Sequence, residues 1–432
     1  MQGGTAPVRQ RRPFFYLSGC ALPDSAVTYR LASRTLTLYI PPLDPAAVLW
    51  SGLPLTPAGA MLKYDVDAVR TTDELKADLT SITDAATAPR LFTIPKQLSS
   101  DSLCGDRFRT AGAESNVLQE AIDECRTIKD GYEVALIKRA NAITADAHHA
   151  CMRAARTATN ERELLATFTA VCISRGAPTQ AYTGIFGAGR AAATLHYTHN
   201  DAPLQGKLNL LLDAGAEVDQ YASDVTRTFP LSGAGTFSVE SRQIYDLVLR
   251  MQRETLTQCR PGAQWEAVHM LAHRVAIDGL LALGILRGGT PDAILAHRTS
   301  CAFFPHGLGH YLGMDTHDTG GHPDYADPDK LLCYLRKRGP LPVGAVITVE
   351  PGVSSPQHSR LELIQADCEK IYFCEYIIRP YLQDPAHAQY IDEAVLERYW
   401  DVGGVRIEGS FPVPCQLGAR WLTVMAMGQI MC

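Results

Sequence analysis

The sequence predicts an α+β protein: a catalytic domain of helices packed on an antiparallel sheet, preceded by a small α/β domain. Three observations lead there. At 432 residues the chain is too long for one small core, and its size suggests two or three domains. Its first hundred or so residues are short apolar runs of β type broken by Pro and Gly. Beyond them, apolar residues recur at helical spacing, with further β-type runs between and after the helical stretches.

FFYLSG, TLTLYIPP and VLWSGLP are the clearest strands of the first part, and TTDELKADLTSI reads as a short helix. The polar, Gly-containing stretch 107–116 reads as the linker, so the N-terminal domain is placed at 1–112 and the catalytic domain at 117–408. In the latter, Tyr132, Leu136, Ala140, Ile143 and Ala147 recur at helical spacing. Asn160 with Glu163 has the pattern of a capping box, followed by Leu164, Phe168, Val171 and Cys172 on one face. Two more amphipathic helices begin at Ser238 and Gln264, separated by Pro261 and Gly262. LNLLLDAG, VTRTFPL, AVITVEPG and GGVRIE are the strands, and no internal repeat is visible.

The composition, 46% apolar and 20% charged, excludes extensive disorder. A formal net charge of -6 points away from nucleic acid, and the basic run at 9–12 reads as a solvated turn. No apolar stretch reaches the ~18 residues of a spanning helix; residues 280–286 fall far short, so no membrane partner is expected. The N-terminus lacks the apolar core of a secretory signal. Twelve cysteines without a CxxC pair read as reduced thiols in a cytoplasmic protein.

The chemistry is concentrated in five residues: Asp213 in LLLDAGAE, Asp224 in SDVTRTFP, His310 in HGLGHYLGMDTHD, Glu350 in VITVEPG and Glu408 in GGVRIE. Each sits at the end of, or inside, an apolar β-type run, and such runs can aim polar side chains from several strands into one cleft. Four carboxylates around one site raise each other's pKa. They stay ionised together only with something strongly positive between them, and two divalent cations would serve. Taken alone, Asp213 is a strand-end carboxylate capping a turn; Asp224 in a matching strand context favours the metal reading.

HGLGH is not the His-Glu-x-x-His helix of zinc peptidases, because Gly307 stands in the second position and Gly309 follows. Two glycines disfavour a helix by about 1 kcal/mol each, so extended backbone passing close to a site is expected. His306 is then either a substrate-pocket group or a plain structural histidine. His317 precedes Asp318, which is placed to orient its ring. Arg406 and Glu408, two apart in a strand, share one face. Arg406 is therefore expected to hold Glu408, to meet a substrate carboxylate, or to form a simple ion pair. Gly187 and Gly189 do not make a dinucleotide fingerprint, since Ala192 stands where the last glycine belongs. His199 and His322 read as surface residues.

These segments, in this order, resemble the Xaa-Pro peptidase family, the aminopeptidase P and prolidase group with the pita-bread fold. The resemblance runs from about residue 9 to residue 408. It implies a pita-bread catalytic domain whose metal ligands are Asp213, Asp224, His310, Glu350 and Glu408. Asp224 and Glu408 would bridge two ions, Asp213 would hold one, and His310 with Glu350 the other. A carboxylate-rich shell with one imidazole suits manganese, with other divalent metals possible. His196 in the LHY segment and His317 match the family's catalytic histidines, Glu350 would move a proton to the leaving nitrogen, and His306 and Arg406 would line the substrate pocket. The implied substrates are peptides with proline in second position, cleaved by an aminopeptidase P of the fungal type. A prolidase restricted to dipeptides is the alternative, and a homodimer is possible. From another class comes a catalytically impaired pita-bread binding protein; such relatives lose metal ligands, and here all five stand. The same test excludes a metal-free enzyme like creatinase.

The chain departs from the family's pattern in two places. Residues 353–370, VSSPQHSRLELIQADCEK, stand between EPG and IYF, where relatives run straight on. A valine codon begins with GT and a lysine codon can end in AG, so the segment has the ends of a retained intron read in frame. After RIE, residues 409–432 match nothing expected, and the N-terminal domain reads as truncated at its start. A real lineage-specific loop and tail is the alternative, and a transcript containing both segments would sink the intron reading. The segment 353–370 is expected to be an exposed excursion with no part in the metal site.

Overall fold

TLTLYI alternates β-branched with large apolar residues, and it becomes the centre of the first sheet. Strand β2 (Thr35–Ile40) pairs antiparallel with β1 (Ala26–Arg30) and parallel with β3 (Ala68–Thr71), in the order β1-β2-β3. The helix Thr72–Thr83 follows β3 directly, as TTDELKADLTSI predicts. Leu38 and Ile40 are buried with Phe14, Cys20 and Ala60 in this unit's core. The computed structural model of the chain describes residues 9–83, 91–94, 116–354 and 375–413. It divides into two units, Met1–Cys125 and Arg126–Cys432. The expected linker 107–116 lies outside the described residues except for its last, and so do 355–370 and the tail beyond 413.

Two of the expected strands are helices. FFYLSG lies in the helix Arg12–Ser18, with Pro13 in its first turn and Gly19 ending it at φ 63°. Proline there gives up an N–H that has no helical partner anyway, and the Gly19 N–H closes on the Phe15 carbonyl at 2.7 Å. VLWSGLP falls in the helix Pro45–Ser51, where the Asp44 carboxylate accepts from the Ala46 N–H at 2.9 Å and Gly52 stops the chain. Leu49 and Trp50 in this run are 81% and 84% exposed. In both cases a proline in the first turn and a glycine at the end outweighed the apolar run between them.

The second unit carries the four expected long helices. Gly131–Ala154 opens on a capping box of Asp130 and Glu133, and Glu161–Ser174 on one of Asn160 and Glu163. Val239–Leu256 is capped by Ser238, and Trp265–Ala282 follows Gln264. In the first of these, Leu136, Ala140, Ile143 and Ala147 are buried, but Tyr132 is exposed, so the buried stripe begins one residue later at Glu133. The strands are β4 (Thr179–Gln180), β5 (Ile185–Ala188), β6 (Asn209–Asp213), β7 (Ala216–Val218), β8 (Tyr221–Ala222), β9 (Thr226–Pro230), β10 (Val346–Val349), β11 (Gly352–Ser354), β12 (Gly404–Arg406) and β13 (Gly409–Pro412). All their pairings are antiparallel, in the sheets β5-β6-β9, β4-β7-β8, β10-β13 and β11-β12. Of the segment 353–370 only residues 353 and 354 are described, and both belong to β11. β13 lies beyond residue 408, where the sequence reading ended the catalytic domain. It pairs along β10 from Val346 opposite Pro412 to Val349 opposite Gly409.

One buried ionic cluster ties the histidine segment to the start of this unit. Asp318 lies 2.6 Å from Arg126 and 2.8 Å from Lys129, with all three side chains almost wholly enclosed. Its removal would leave Lys129 a buried cation with no carboxylate beside it, facing the Thr127 carbonyl at 3.3 Å and the Tyr311 ring. Breaking a buried pair this way costs about 3–5 kcal/mol. Asp318→Ala is therefore expected to lose that much in urea unfolding. A loss under about 1 kcal/mol, the scale of an exposed pair, would show that the cluster is solvated.

Candidate metal centre

β6 is Asn-Leu-Leu-Leu-Asp and is buried along its whole length, so its terminal Asp213 is delivered to the interior. The register Asp213 opposite Thr226 sets β9 beside it, and Asp224 stands two residues before β9. The turn between them needs Gly215: a Cβ there would lie 1.8 Å from the Ser223 carbonyl oxygen. The Tyr182 hydroxyl reaches 2.6 Å from Asp213 Oδ1 and 2.6 Å from Asp224 Oδ1. One hydroxyl hydrogen can be donated to only one of them at a time.

The HGLGH segment is extended, as its glycines predict. Residues 308–312 run antiparallel to β10: the Thr348 N–H meets the His310 carbonyl at 2.8 Å, and the Glu350 N–H meets that of Leu308 at 2.8 Å. A Cβ on Gly309 would lie 2.0 Å from the Thr348 carbonyl oxygen, so only glycine permits this approach. The ladder seats His310 beside Glu350. His310 Nδ1 lies 2.9 Å from the Tyr311 carbonyl. A carbonyl accepts only from a protonated ring nitrogen, which leaves the Nε2 lone pair facing inward. Nε2 lies 3.4 Å from both Asp224 Oδ2 and Glu350 Oε1.

Glu408 arrives from the last described part of the chain. Its N–H bonds the Thr226 carbonyl at 3.1 Å, and Arg227 donates to its carbonyl at 2.6 Å. Oε2 accepts from the Thr226 hydroxyl at 2.6 Å, while Oε1, fully buried, has no partner. Ligand atoms of Asp224, His310 and Glu408 lie within 4.8 Å of one another. Asp213 and Glu350 flank them through the Tyr182 hydroxyl and the His310 ring. All five residues picked from the sequence thus meet in one place.

The electrostatics are those of an overcrowded anion site. Burial pushes the Glu408 carboxyl well above its usual range, and the charges of Asp224, Glu350 and Asp213 add to the shift. Burial likewise raises Glu350, to about 7, with His310 and Arg406 opposing. Asp213 is raised by burial, and the Arg406 charge opposes without cancelling it. Burial alone would lower His310; its bond to Asp224 and the charge of Glu350 raise it instead. Together with the orphaned Glu408 Oε1, this is a set of oxygen acceptors and one imidazole lone pair that divalent cations would satisfy.

Around this group stand the other residues of interest. The His317 ring lies edge-on to His310, centroids 4.4 Å apart, and its residue faces solvent. Desolvation and the His310 charge hold it well below the usual histidine range. His306 packs edge-on against Phe304 at 4.9 Å, and burial lowers it to about 3, with the Arg406 charge acting in the same direction. His196 is exposed in the turn after Ala193, close enough for its charge to be felt at both His306 and His317. His199 and His322 are exposed.

Two expectations need correction. Asp318 does not orient His317, because Arg126 and Lys129 take up both of its oxygens. Arg406 does not grip Glu408 directly: its Nη2 pairs with Asp213, and its Nε donates to Thr226 Oγ1 at 3.1 Å. The Thr226 hydroxyl then relays to Glu408. Tyr182 and Thr226 were not singled out from the sequence; each is one polar residue in a short segment, with no spacing that marks it.

Comparison with known proteins gives a consistent picture. The profile of metallopeptidase family M24 matches residues 135–413, and that of the aminopeptidase P N-terminal domain matches residues 3–92. A probable Xaa-Pro aminopeptidase of Tuber melanosporum is 58% identical over 404 residues, 94% of this chain and 82% of that protein. One of Pyricularia oryzae is 57% identical over 93% of this chain and 82% of its own length. Among solved structures, a variant of Escherichia coli aminopeptidase P in complex with substrate superposes with a TM-score of 0.76 at 26% identity. That match covers 96% of this chain and 86% of the bacterial one. The zinc-substituted bacterial enzyme in complex with product gives 0.75 at 27% identity over the same shares.

Proposed function

Because the chain belongs to metallopeptidase family M24 and carries an aminopeptidase P N-terminal domain, we propose that it removes the N-terminal residue from peptides whose second residue is proline. The observation that carries this reading is the convergence of four carboxylates and one imidazole lone pair. It occurs in a chain 52–58% identical to proteins named as probable Xaa-Pro aminopeptidases.

Asp213, Asp224, His310, Glu350 and Glu408 would hold two divalent ions, manganese by preference for so oxygen-rich a shell. When bound, such ions supply a water that ionises near neutral pH and a Lewis acid for the carbonyl oxygen. The chain's own groups do the rest. Glu350, ionised once the ions are bound and facing the centre beside His310, would take the proton released by that water and pass it to the leaving proline nitrogen. His317, kept neutral, donates one N–H toward the carbonyl oxygen as charge develops there, with His196 at the same mouth. His306, also neutral, lines the pocket beside Arg406. A proline amide has no N–H and a fixed ring, so a pocket shaped to that ring is the source of selectivity.

No helix among the described residues is long and apolar enough to cross a membrane. The seven described cysteines are all free, which suits a reducing compartment; a cytoplasmic location and a homodimer belong to the same proposal. Metal analysis with hydrolysis of an Xaa-Pro dipeptide and an Xaa-Pro-Xaa tripeptide tests the reading. Cleavage of the tripeptide by protein holding two ions per chain is expected. Cleavage of the dipeptide alone would make the protein a prolidase, and loss of both activities with metal bound would leave a binding protein.

A further inference from the structure

Glu161 is a fully buried carboxylate outside the metal centre. It is not needed as a helix cap, since Asn160 and Glu163 form the capping box. Its oxygens instead collect three donors from the end of β5 and the loop that leads on to β6. Oε1 accepts from the Ala188 N–H at 2.8 Å; Oε2 accepts from the Ala202 N–H at 2.9 Å and the Tyr197 hydroxyl at 2.8 Å. These donors stand on either side of His196 and on the residue next to it. The same loop is tied down again by buried Asn200, which accepts from the Phe186 N–H and donates to the Gly184 carbonyl, each at 2.8 Å.

The loop also touches the strand that leads to Arg406 and Glu408. Its short 3-10 turn, Gly189–Ala193, lies so close to the start of β12 that a Cβ on Gly403 would be 2.0 Å from the Gly189 carbonyl oxygen. One on Gly404 would be 2.3 Å from that of Ala192. From there to residue 202 the chain has no ladder of its own; beyond the Thr194 N–H to Ala191 and Glu161 N–H to Ala202 backbone bonds, what fixes the His196 turn comes from side chains. A buried carboxylate is costly unless fully bonded. Among similar side chains only an acceptor-only group can serve three donors, because a glutamine would always turn its NH2 toward one of them.

We propose that Glu161 is a positioning residue that holds the His196 turn at the mouth of the metal centre. The proposal rests on the reading of His196 as a group that meets substrate. Its test is a double-variant cycle on metal-loaded enzyme with an Xaa-Pro-Xaa tripeptide: Glu161→Gln, His196→Ala and both together. Metal content is measured alongside, as is tryptic cleavage after Arg190 in the metal-free protein. Glu161→Gln is expected to lower kcat/KM by about tenfold to a hundredfold, the scale of a small misplacement. It should keep its metal, be cut faster at Arg190, and cost nothing further once His196 is alanine. Equal losses in both backgrounds, or cleavage as slow as in the parent, overturn the proposal. A harmless His196→Ala removes the reading of His196 itself and the proposal with it. Should Glu161→Gln fail to fold, Tyr197→Phe deletes one donor, leaves the carboxylate, and goes through the same cycle.

Discussion

Glu408→Ala is expected to lose more than about a thousandfold in kcat/KM, beyond the 10–100-fold typical of an outer-shell group. The variant removes the orphaned Oε1 and the oxygen held by Thr226 at once. His306→Ala, which deletes a ring packed on Phe304 and bonded to the Gly307 carbonyl, should stay within that 10–100-fold range. Metal content separates the two further: it should fall in the first and hold in the second. Stability should move the other way. In the metal-free protein the Glu408 carboxylate is opposed by burial and by three like charges. Its truncation should therefore leave the metal-free fold at least as stable in urea. Equal activity losses with metal retained in both variants would show that Glu408 is not a ligand.

Metal removal should invert the pH dependence of stability. Glu350 is raised from 4.5 to about 7 in the fold, and Glu408 is raised well above 4.5. Over the window from about 4.5 to about 7 the folded, metal-free chain binds more protons than the unfolded one, so its stability falls as pH rises. For Glu350 alone the loss is on the order of a few kcal/mol. His310 acts in the same sense: its raised pKa stabilises fully below 6.5 and is lost as pH rises through the folded value. Bound cations need these carboxyls ionised and the imidazole neutral, so affinity should rise over the same window with protons released. Calorimetry in buffers of different ionisation heat would count them. Glu350→Gln should flatten the slope of the metal-free protein. A metal-free protein that grows steadily more stable between pH 5 and 7 would contradict the crowded-anion description.

The five residues of the centre were legible because each is an unusual group for its place: a carboxylate or imidazole at the end of a run otherwise built for burial. What lay opposite them was not. The spacing of Arg406 and Glu408 shows a shared strand face but says nothing of Asp213, which meets Arg406 across 193 residues. Tyr182 and Thr226 carry no periodic signal, and His317 was matched to its sequence neighbour Asp318 although two buried cations compete for that carboxylate. In the N-terminal unit the errors were local. FFYLSG and VLWSGLP have strand composition, but proline at the start and glycine at the end select a helix whatever lies between. β13 is not legible because Gly409–Pro412 is short and follows directly on Glu408.

That last strand has a consequence for how the molecule is born. β13 pairs with β10, and the Ser410 hydroxyl bonds the Asp224 carbonyl at 3.2 Å. The first of the five residues to leave a ribosome, Asp213, must wait for residues almost two hundred positions younger. Until they emerge, the hairpin of β6 and β9 presents two carboxylates with neither Arg406 nor Glu408 beside them. Contacts of such long range form late and slowly. A site that needs all five residues would therefore capture ions only after residue 408 has emerged, and the supply of free cation at that moment would decide which ion each new molecule takes up.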